Sequence, residues 1–443
     1  RHITIVVDTD QQGNPTSLLG AGVLEEESEG GGDRPVRLNA TVSGTVDFSS
    51  DNQQIPDDYA VTTTVAGEFG ARLVVDQEPL LYTLRTVVEA GSAAGLPTAD
   101  NPDWPQFRGP RQDAICRETG LLTDWPEDGP PLLWKLNGLG KGFSTVSIVG
   151  GRFYTMGDRQ AADGTEVQFA LAYDLATRRE LWAARVGPPH QDGPRCTPAV
   201  VAAQVYVLGT AGDLVCLDAA SGKSLWHKNL ASEFGGQMMS TWKFSESPLV
   251  DGQRLICTPG GPDATLVALN KDSGETIWKC AMPKIGERGK DGAGYASAVV
   301  AELAGVRQYV QMVGRGLIGV EAASGRFLWG YNHIANTVAN IPSAIVRGDY
   351  VFTTTSYKTG CALLHIVREG EQFRAEEVYF LSSKDFENHH GGVVLAGEHL
   401  YGGDGQNRGN PVCLKWATGE IAWKERAPAN GSAAVLYADG HLI

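Results

Sequence analysis

Seven residues carry side chains suited to binding or acid–base work, and they fall at comparable places along the chain: Arg195, Trp242, Glu246, Tyr295, Asn340, His389 and His390. A guanidinium, a carboxylate, an amide, a phenol and two imidazoles can together hold a polar or anionic ligand. Imidazole titrates near neutrality, so a general base is also available. Each group has a plainer structural use. Arg195 and Glu246 are placed to form an ion pair between neighbouring units. His389 and His390 are adjacent, so in an extended strand they face opposite sides and cannot share a metal ion. No metal site and no catalytic residue are therefore assigned. The pairs Gly235-Gly236, Gly260-Gly261 and Gly402-Gly403 lack the Lys-Ser/Thr and following helix of a phosphate loop, and they read as turns.

What brings the seven residues together is an internal repeat. VCLDAASGKSLWHKNL (Val215–Leu230) reads as a β-hairpin, with a turn at Ala220–Lys223 and a second strand carrying Trp226. Related text stands at 267–282, 318–333 and 412–427, with a weaker copy at 171–186. The repeat tryptophans are Trp182, Trp226, Trp278, Trp329 and Trp423, with gaps of 44, 52, 51 and 94 residues. A unit of that length holding four short strands is a propeller blade. The long gap predicts a degenerate copy at Cys361–Phe380, with Tyr379 in the tryptophan's place.

Repeated positions have packing reasons. Ten residues before each tryptophan stands Ala172, Cys216, Ala268, Gly319 or Cys413. A slot that is always small is expected to face a neighbouring blade, where bulk would overpack. Four residues before it stands Gly222, Gly274, Gly325 or Gly419, supplying the positive φ of a hairpin loop. Arg178 occupies that place in the weak copy, so a different turn is expected there. The segments leading into the blades begin near Phe143, Cys196, Glu246, Ala296, Ile341, His390 and Ser432. These line one mouth of the axial channel and carry the seven candidate residues.

The AxDxxTGxxxW-like hairpin line resembles the pyrroloquinoline-quinone (PQQ) repeat of quinoprotein-type β-propellers. That superfamily includes the quinoprotein alcohol dehydrogenases and the outer-membrane-assembly propeller lipoprotein. WPQFRGP (Trp104–Pro110), ETGLLTDWPEDGPPLLW (Glu118–Trp134), SESPLVDG (Ser245–Gly252), ANIPSAIVRGDYVF (Ala339–Phe352), NHHGGVVL (Asn388–Leu395) and GSAAVLYADGHL (Gly431–Leu442) are similar to a narrower group, the bacterial PQQ-binding-like repeat propellers. The blade starts give six complete blades and the beginning of a seventh. The resemblance implies one more, so an all-β propeller of eight four-stranded blades, truncated at its C-terminus, with a seven-bladed ring as the alternative. It also implies an extracytoplasmic location, in the periplasm or cell envelope. Two functions are compatible with it. One is a non-catalytic binding or scaffolding module for a protein or small polar ligand, with no cofactor. The other is a quinoprotein oxidoreductase that uses PQQ with Ca²⁺ on an alcohol or sugar. Such an enzyme needs several oxygen ligands for Ca²⁺ and an Asp base. The mouth supplies Glu246 and the amide of Asn340, so the binding module is the preferred reading. The quinoprotein dehydrogenases typically carry a vicinal Cys-Cys ring, which this chain lacks.

Composition bounds the rest. A chain of 443 residues accommodates a propeller and an accessory domain. Net charge is −15, which argues against nucleic acid or an anionic membrane as main partner. No apolar run reaches transmembrane length. The chain begins at Arg1 and ends at Ile443 inside a predicted strand, so it reads as a fragment in which a signal sequence is not visible. Residues 1–95 hold no Lys, Trp or Cys and are expected to form an acidic, mainly-β accessory domain. Val/Thr alternation predicts its strands. Pro79–Ala90 has helical spacing, and Glu25–Asp33 reads as a solvated acidic loop. Residues 96–131 are expected to be a Pro-rich linker wrapping the propeller and packing Trp104 and Trp125 on it. The propeller then occupies 132–443, with PLLWKL (Pro131–Leu136) as the strand that closes the ring. Seven cysteines include no CxxC pair, so zinc and thioredoxin-like sites are not expected.

Overall fold

The computed structural model describes residues 103–443 except 122–124 and 126–128, together with seven strands among the first hundred residues. The chain divides into two compact units, Arg1–Ala99 with Leu175–Arg178, and Asp100–Asp174 with Arg179–Ile443. In the first unit the strands are β1 (His2–Thr9), β2 (Pro15–Glu26), β3 (Arg34–Asn39), β4 (Ser43–Ser49), β5 (Thr62–Ala66), β6 (Phe69–Leu73) and β7 (Thr83–Val87). They form one sheet in the order β5-β4-β7-β1-β2-β3-β6. The helix expected over Pro79–Ala90 is overturned. Thr83, Thr86 and Val87 are β-branched, and β7 pairs in register with β4. Most of the Glu25–Asp33 loop lies outside the described residues.

The second unit holds seven sheets, the count of the seven-bladed alternative. Six are four-stranded antiparallel blades with strands in simple sequence order. Their first strands are Ser147–Val149, Ala199–Val201, Leu249–Asp251, Val299–Leu303, Ile345–Arg347 and Val393–Ala396. First strands touch one another between blades 1 and 2, 2 and 3, and 5 and 6, which identifies them as the innermost ring around the axis. The middle strands are buried on both faces, as in Gln204–Leu208 and Asp213–Asp218 of blade 2, and therefore read as nearly continuous apolar runs. The degenerate copy forms the hairpin Gly360–Glu369/Gln372–Ser382 of blade 5. Tyr379 stands opposite Leu363 immediately before a bulge, as Trp226 stands opposite Cys216.

Three of the tryptophans join blades, whereas Trp329 bonds Gln308 Oε1 within its own blade. Trp182 Nε1 donates to the Ala219 carbonyl of the next blade at 3.1 Å, Trp226 to Lys271 at 2.9 Å and Trp278 to Ala322 at 3.1 Å. Tyr379 repeats the bond through its hydroxyl, to Trp416 at 3.1 Å. The small slot stands opposite the blade's own tryptophan and on the same face: a Cβ at Gly319 would sit 2.1 Å from Trp329 Nε1. One expectation is corrected. Arg178 does not change its turn, because it takes φ 61°, close to the 70° of Gly222.

The seventh sheet contains Tyr437–Ala438 and His441–Leu442, joined in parallel by Ile115–Cys116. PLLWKL is not a strand; Leu132 and Leu133 are exposed. Pairing on the last sheet is supplied instead by Ile115–Cys116, on the inner side of its first strand. Asp103–Cys116 does not wrap the ring. Trp104 pairs with Ile148 of blade 1, Pro105 accepts from Val200 of blade 2, and Gln112 Nε2 donates to Ala298 beside blade 4. Arg108 donates to Val393 of blade 6. A segment reaching the innermost strands of five sheets must cross the axial channel, and it plugs it. Trp125 is largely exposed.

Candidate functional site

A belt of hydroxyls runs around the channel. Thr145, Thr197, Ser247, Ser297 and Ser343 each stand two residues before a first strand. Thr145 Oγ1 and Thr197 Oγ1 share a 2.6 Å hydrogen bond. The Thr197 N–H donates to Ser247 Oγ and the Ser247 N–H to Ser297 Oγ, both at 2.9 Å. The Ser297 N–H donates to Ser343 Oγ at 3.2 Å. Blades 2, 3 and 4 thus each satisfy one inner backbone donor with the next blade's hydroxyl. At blade 6 the equivalent residue is Gly391, where a Cβ would lie 1.6 Å from the Ala433 carbonyl.

Arg108 of the plug lies beside this gap in the belt. Its Nε donates to Gln112 O at 3.1 Å, and its Nη2 donates to Asp113 O at 3.3 Å and Val393 O at 2.6 Å. Only 7% of the residue is exposed, and burial lowers its pKa to about 10. Above the plug and belt a cavity of about 710 Å³ opens at the mouth. Arg108, Arg195, Trp242, Tyr295, His389 and His390 line it, with Phe107, Phe143, Tyr357 and Asp192.

Five of the seven sequence candidates therefore share one cavity. Arg195 is half-buried; its Nη2 pairs with Asp192 at 2.8 Å and its Nη1 donates to Trp242 O at 3.1 Å. Trp242 meets Tyr295 edge-on, with centroids 5.9 Å apart. The Tyr295 hydroxyl bonds Ser240 Oγ at 2.6 Å. His389 is fixed by both nitrogens, Nδ1 to Ser432 Oγ at 2.9 Å and Nε2 to the Tyr357 hydroxyl at 3.0 Å. The expectation that the two imidazoles face opposite sides is overturned. They lie in the loop before Val393, not in a strand, and their rings stack 3.5 Å apart. The His390 nitrogens make no hydrogen bond among the described residues. Its pKa is held down to about 4, first by burial and then by His389 and Arg195. Burial lowers that of His389 as well.

Glu246 and Asn340 lie elsewhere. Glu246 is buried between blades 3 and 4, where its carboxylate accepts from Thr258 N–H at 2.5 Å, Thr258 Oγ1 at 2.7 Å and Gln311 Nε2 at 3.3 Å. Burial raises its pKa to about 7. The expected Arg195–Glu246 ion pair is absent, because Arg195 is taken by Asp192. Asn340 is a fully buried staple: its Nδ2 donates to Val313 O at 2.9 Å and its Oδ1 accepts from Asn336 N–H at 3.2 Å. The cause of both misplacements is the period of two in extended chain. Ser245 and Ser247 line the cavity and Glu246 between them points away; Ala339 and Ile341 line it and Asn340 does not.

The cavity's single acidic side chain, Asp192, is engaged by Arg195. Among the described residues no cluster of three or more His, Cys, Asp or Glu could hold a metal ion. Cys196 and Cys216 are buried thiols pushed up to about 12, so neither is poised as a nucleophile. The lining combines hydrogen-bond donors, neutral imidazoles and apolar faces, an arrangement suited to holding a polar or anionic ligand. Arg108 and the belt were not among the sequence candidates. The belt had a signal, hydroxyl residues recurring at intervals of 52, 50, 50 and 46.

A family model described as outer membrane protein assembly factor BamB matches residues 168–425. No curated protein matches. Similar solved structures include BamB from Moraxella catarrhalis, 15% identical, covering 66% of this chain and 87% of that one at a TM-score of 0.43. A europium-containing methanol dehydrogenase is 11% identical, covering 77% and 88% at 0.42. Quinohemoprotein alcohol dehydrogenase from Comamonas testosteroni is 14% identical, covering 77% and 76% at 0.38.

Proposed function

We propose that this chain, which belongs to the outer membrane protein assembly factor BamB family, is a non-catalytic binding propeller of the cell envelope that takes a polar ligand in its axial mouth. The extracytoplasmic location is proposed from the family's description. Among the described residues no helix is long and apolar enough to cross a membrane. The observation that carries the reading is the lining of the cavity. Its donors converge from several blades and the plug, while groups poised for chemistry are missing from it. His390, held near pKa 4, is a weak base at neutral pH.

The alternative, a PQQ-dependent oxidoreductase, asks for a Ca²⁺ ion with six to eight oxygen ligands. The lining residues do not fit that group. Asp192 is bonded to Arg195, and Glu246 is turned away to Thr258. Reconstitution tests the reading. The protein is mixed with PQQ and Ca²⁺, desalted, and assayed for quinone absorbance and for dye reduction with ethanol and glucose. The binding reading expects neither retained quinone nor turnover. Substrate-dependent dye reduction would overturn it in favour of the oxidoreductase.

A further inference from the structure

Resting on that reading of the axial cavity, we propose that its ligand is a small organic acid, a single carboxylate on a hydroxylated ring of the sugar-acid class, and that Arg108 receives the carboxylate. Arg108 is buried, yet every acceptor it reaches is a neutral backbone carbonyl. Among the described residues no carboxylate lies within ion-pair distance of it. The Asp113 side chain is turned to the Ile115 N–H at 3.1 Å. Asp113 still acts on the guanidinium through space, but a buried cation without a direct ion-pair partner is costly, so an arriving anion finds a charge to pair with. Gly392 supports the same conclusion. A Cβ at that position would sit 2.4 Å from Arg108 Nη1, so this glycine keeps open the space in which the guanidinium meets the cavity.

Charge and shape narrow the class. Arg195 is neutralised by Asp192, which leaves Arg108 as the cation of the lining with no ion-pair partner among the described residues and calls for one negative charge. A positive cavity in a chain of net charge −15 runs against the overall field. Ser247 and Ser297 each accept a backbone N–H through Oγ, leaving their hydroxyl protons to donate. These donors suit ring hydroxyls. Trp242, Phe143 and Ile341 supply apolar faces for the ring itself. A volume near 710 Å³ exceeds the needs of an inorganic anion and falls in the range of small-molecule sites.

Calorimetric titration of the full chain tests this with four probes: D-glucuronate, D-glucose, benzoate and inorganic phosphate. Glucuronate is expected to bind saturably at one site, at least tenfold more tightly than the other three. Arg108→Gln should abolish that preference and Arg108→Lys should keep part of it. Because Arg108 also anchors the plug, Asp192→Asn provides a variant at a partly exposed loop. Removing the competing carboxylate should raise glucuronate affinity severalfold and leave glucose unchanged. Equal binding of glucose and glucuronate, phosphate binding as tight as glucuronate, or binding of none of the four would overturn the proposal. Those outcomes leave the dye-reduction result untouched, whereas turnover with PQQ would overturn the underlying reading itself.

Discussion

The ring of Trp182 lies directly against Gly222 of the next blade, so close that a Cβ on Gly222 would stand 2.6 Å from the indole. The same contact joins Trp226 to Gly274, Trp278 to Gly325 and Tyr379 to Gly419. The turn glycine thus meets two demands at once, a left-handed φ and the approach of the preceding blade's aromatic ring.

Gly222→Ala should therefore destabilise the propeller by roughly 2 kcal/mol or more, combining backbone strain with overpacking. Arg178 already holds the left-handed conformation, so Arg178→Gly should change stability by less than about 1 kcal/mol. Urea unfolding of the two variants measures the difference. Equal midpoint shifts would show that the indole contact carries no weight.

Glu246 makes stability depend on pH. Its carboxyl is raised from 4.5 to about 7 in the folded chain, so the folded state binds more protons than the unfolded state between those values. The associated stability is complete below about pH 4.5 and is lost as pH rises through about 7. It amounts to on the order of 3 kcal/mol. Glu246→Gln should flatten the melting temperature across that window. An unchanged profile would mean that Glu246 ionises normally in the fold.

His390 works in the opposite sense. Its folded pKa lies near 4, below the ordinary 6.5, so its contribution is present above about pH 6.5 and lost as pH falls through 4. Its ring proton signal in NMR should stay at the neutral position down to about pH 5. Titration near 6.5 would show that the imidazole is not shielded by the channel mouth.

The two parts left by a cut near Ala99 are each expected to keep a core of their own. Limited proteolysis should cleave the Glu25–Asp33 loop or residues 91–103 before any blade. Early cleavage inside a blade would contradict this separation.

The blades were legible because every hairpin meets the same packing problem, and Trp182, Trp226 and Trp278 solve it with the same bond. Even Tyr379 could be read from the gap in the period. The mouth was legible at Arg195, Trp242, Tyr295, His389 and His390, because segments leading into first strands converge on the axis. Glu246 and Asn340 were misplaced by one residue of strand alternation, which sequence alone does not phase. Arg108 was out of reach because it belongs to no repeat and meets its partner Val393 from 285 residues away.

Ligand binding at the axial mouth is proposed to use side chains that the fold does not require, and calorimetric titration of D-glucuronate into Arg195→Gln and His390→Ala, alongside their melting curves, is its sharpest test. Affinity should be at least several-fold weaker in each variant, with melting temperatures within about 4 °C of the parent, as expected for ΔΔG near 1 kcal/mol or less. Undiminished binding in both variants, or unfolding of both, would contradict it.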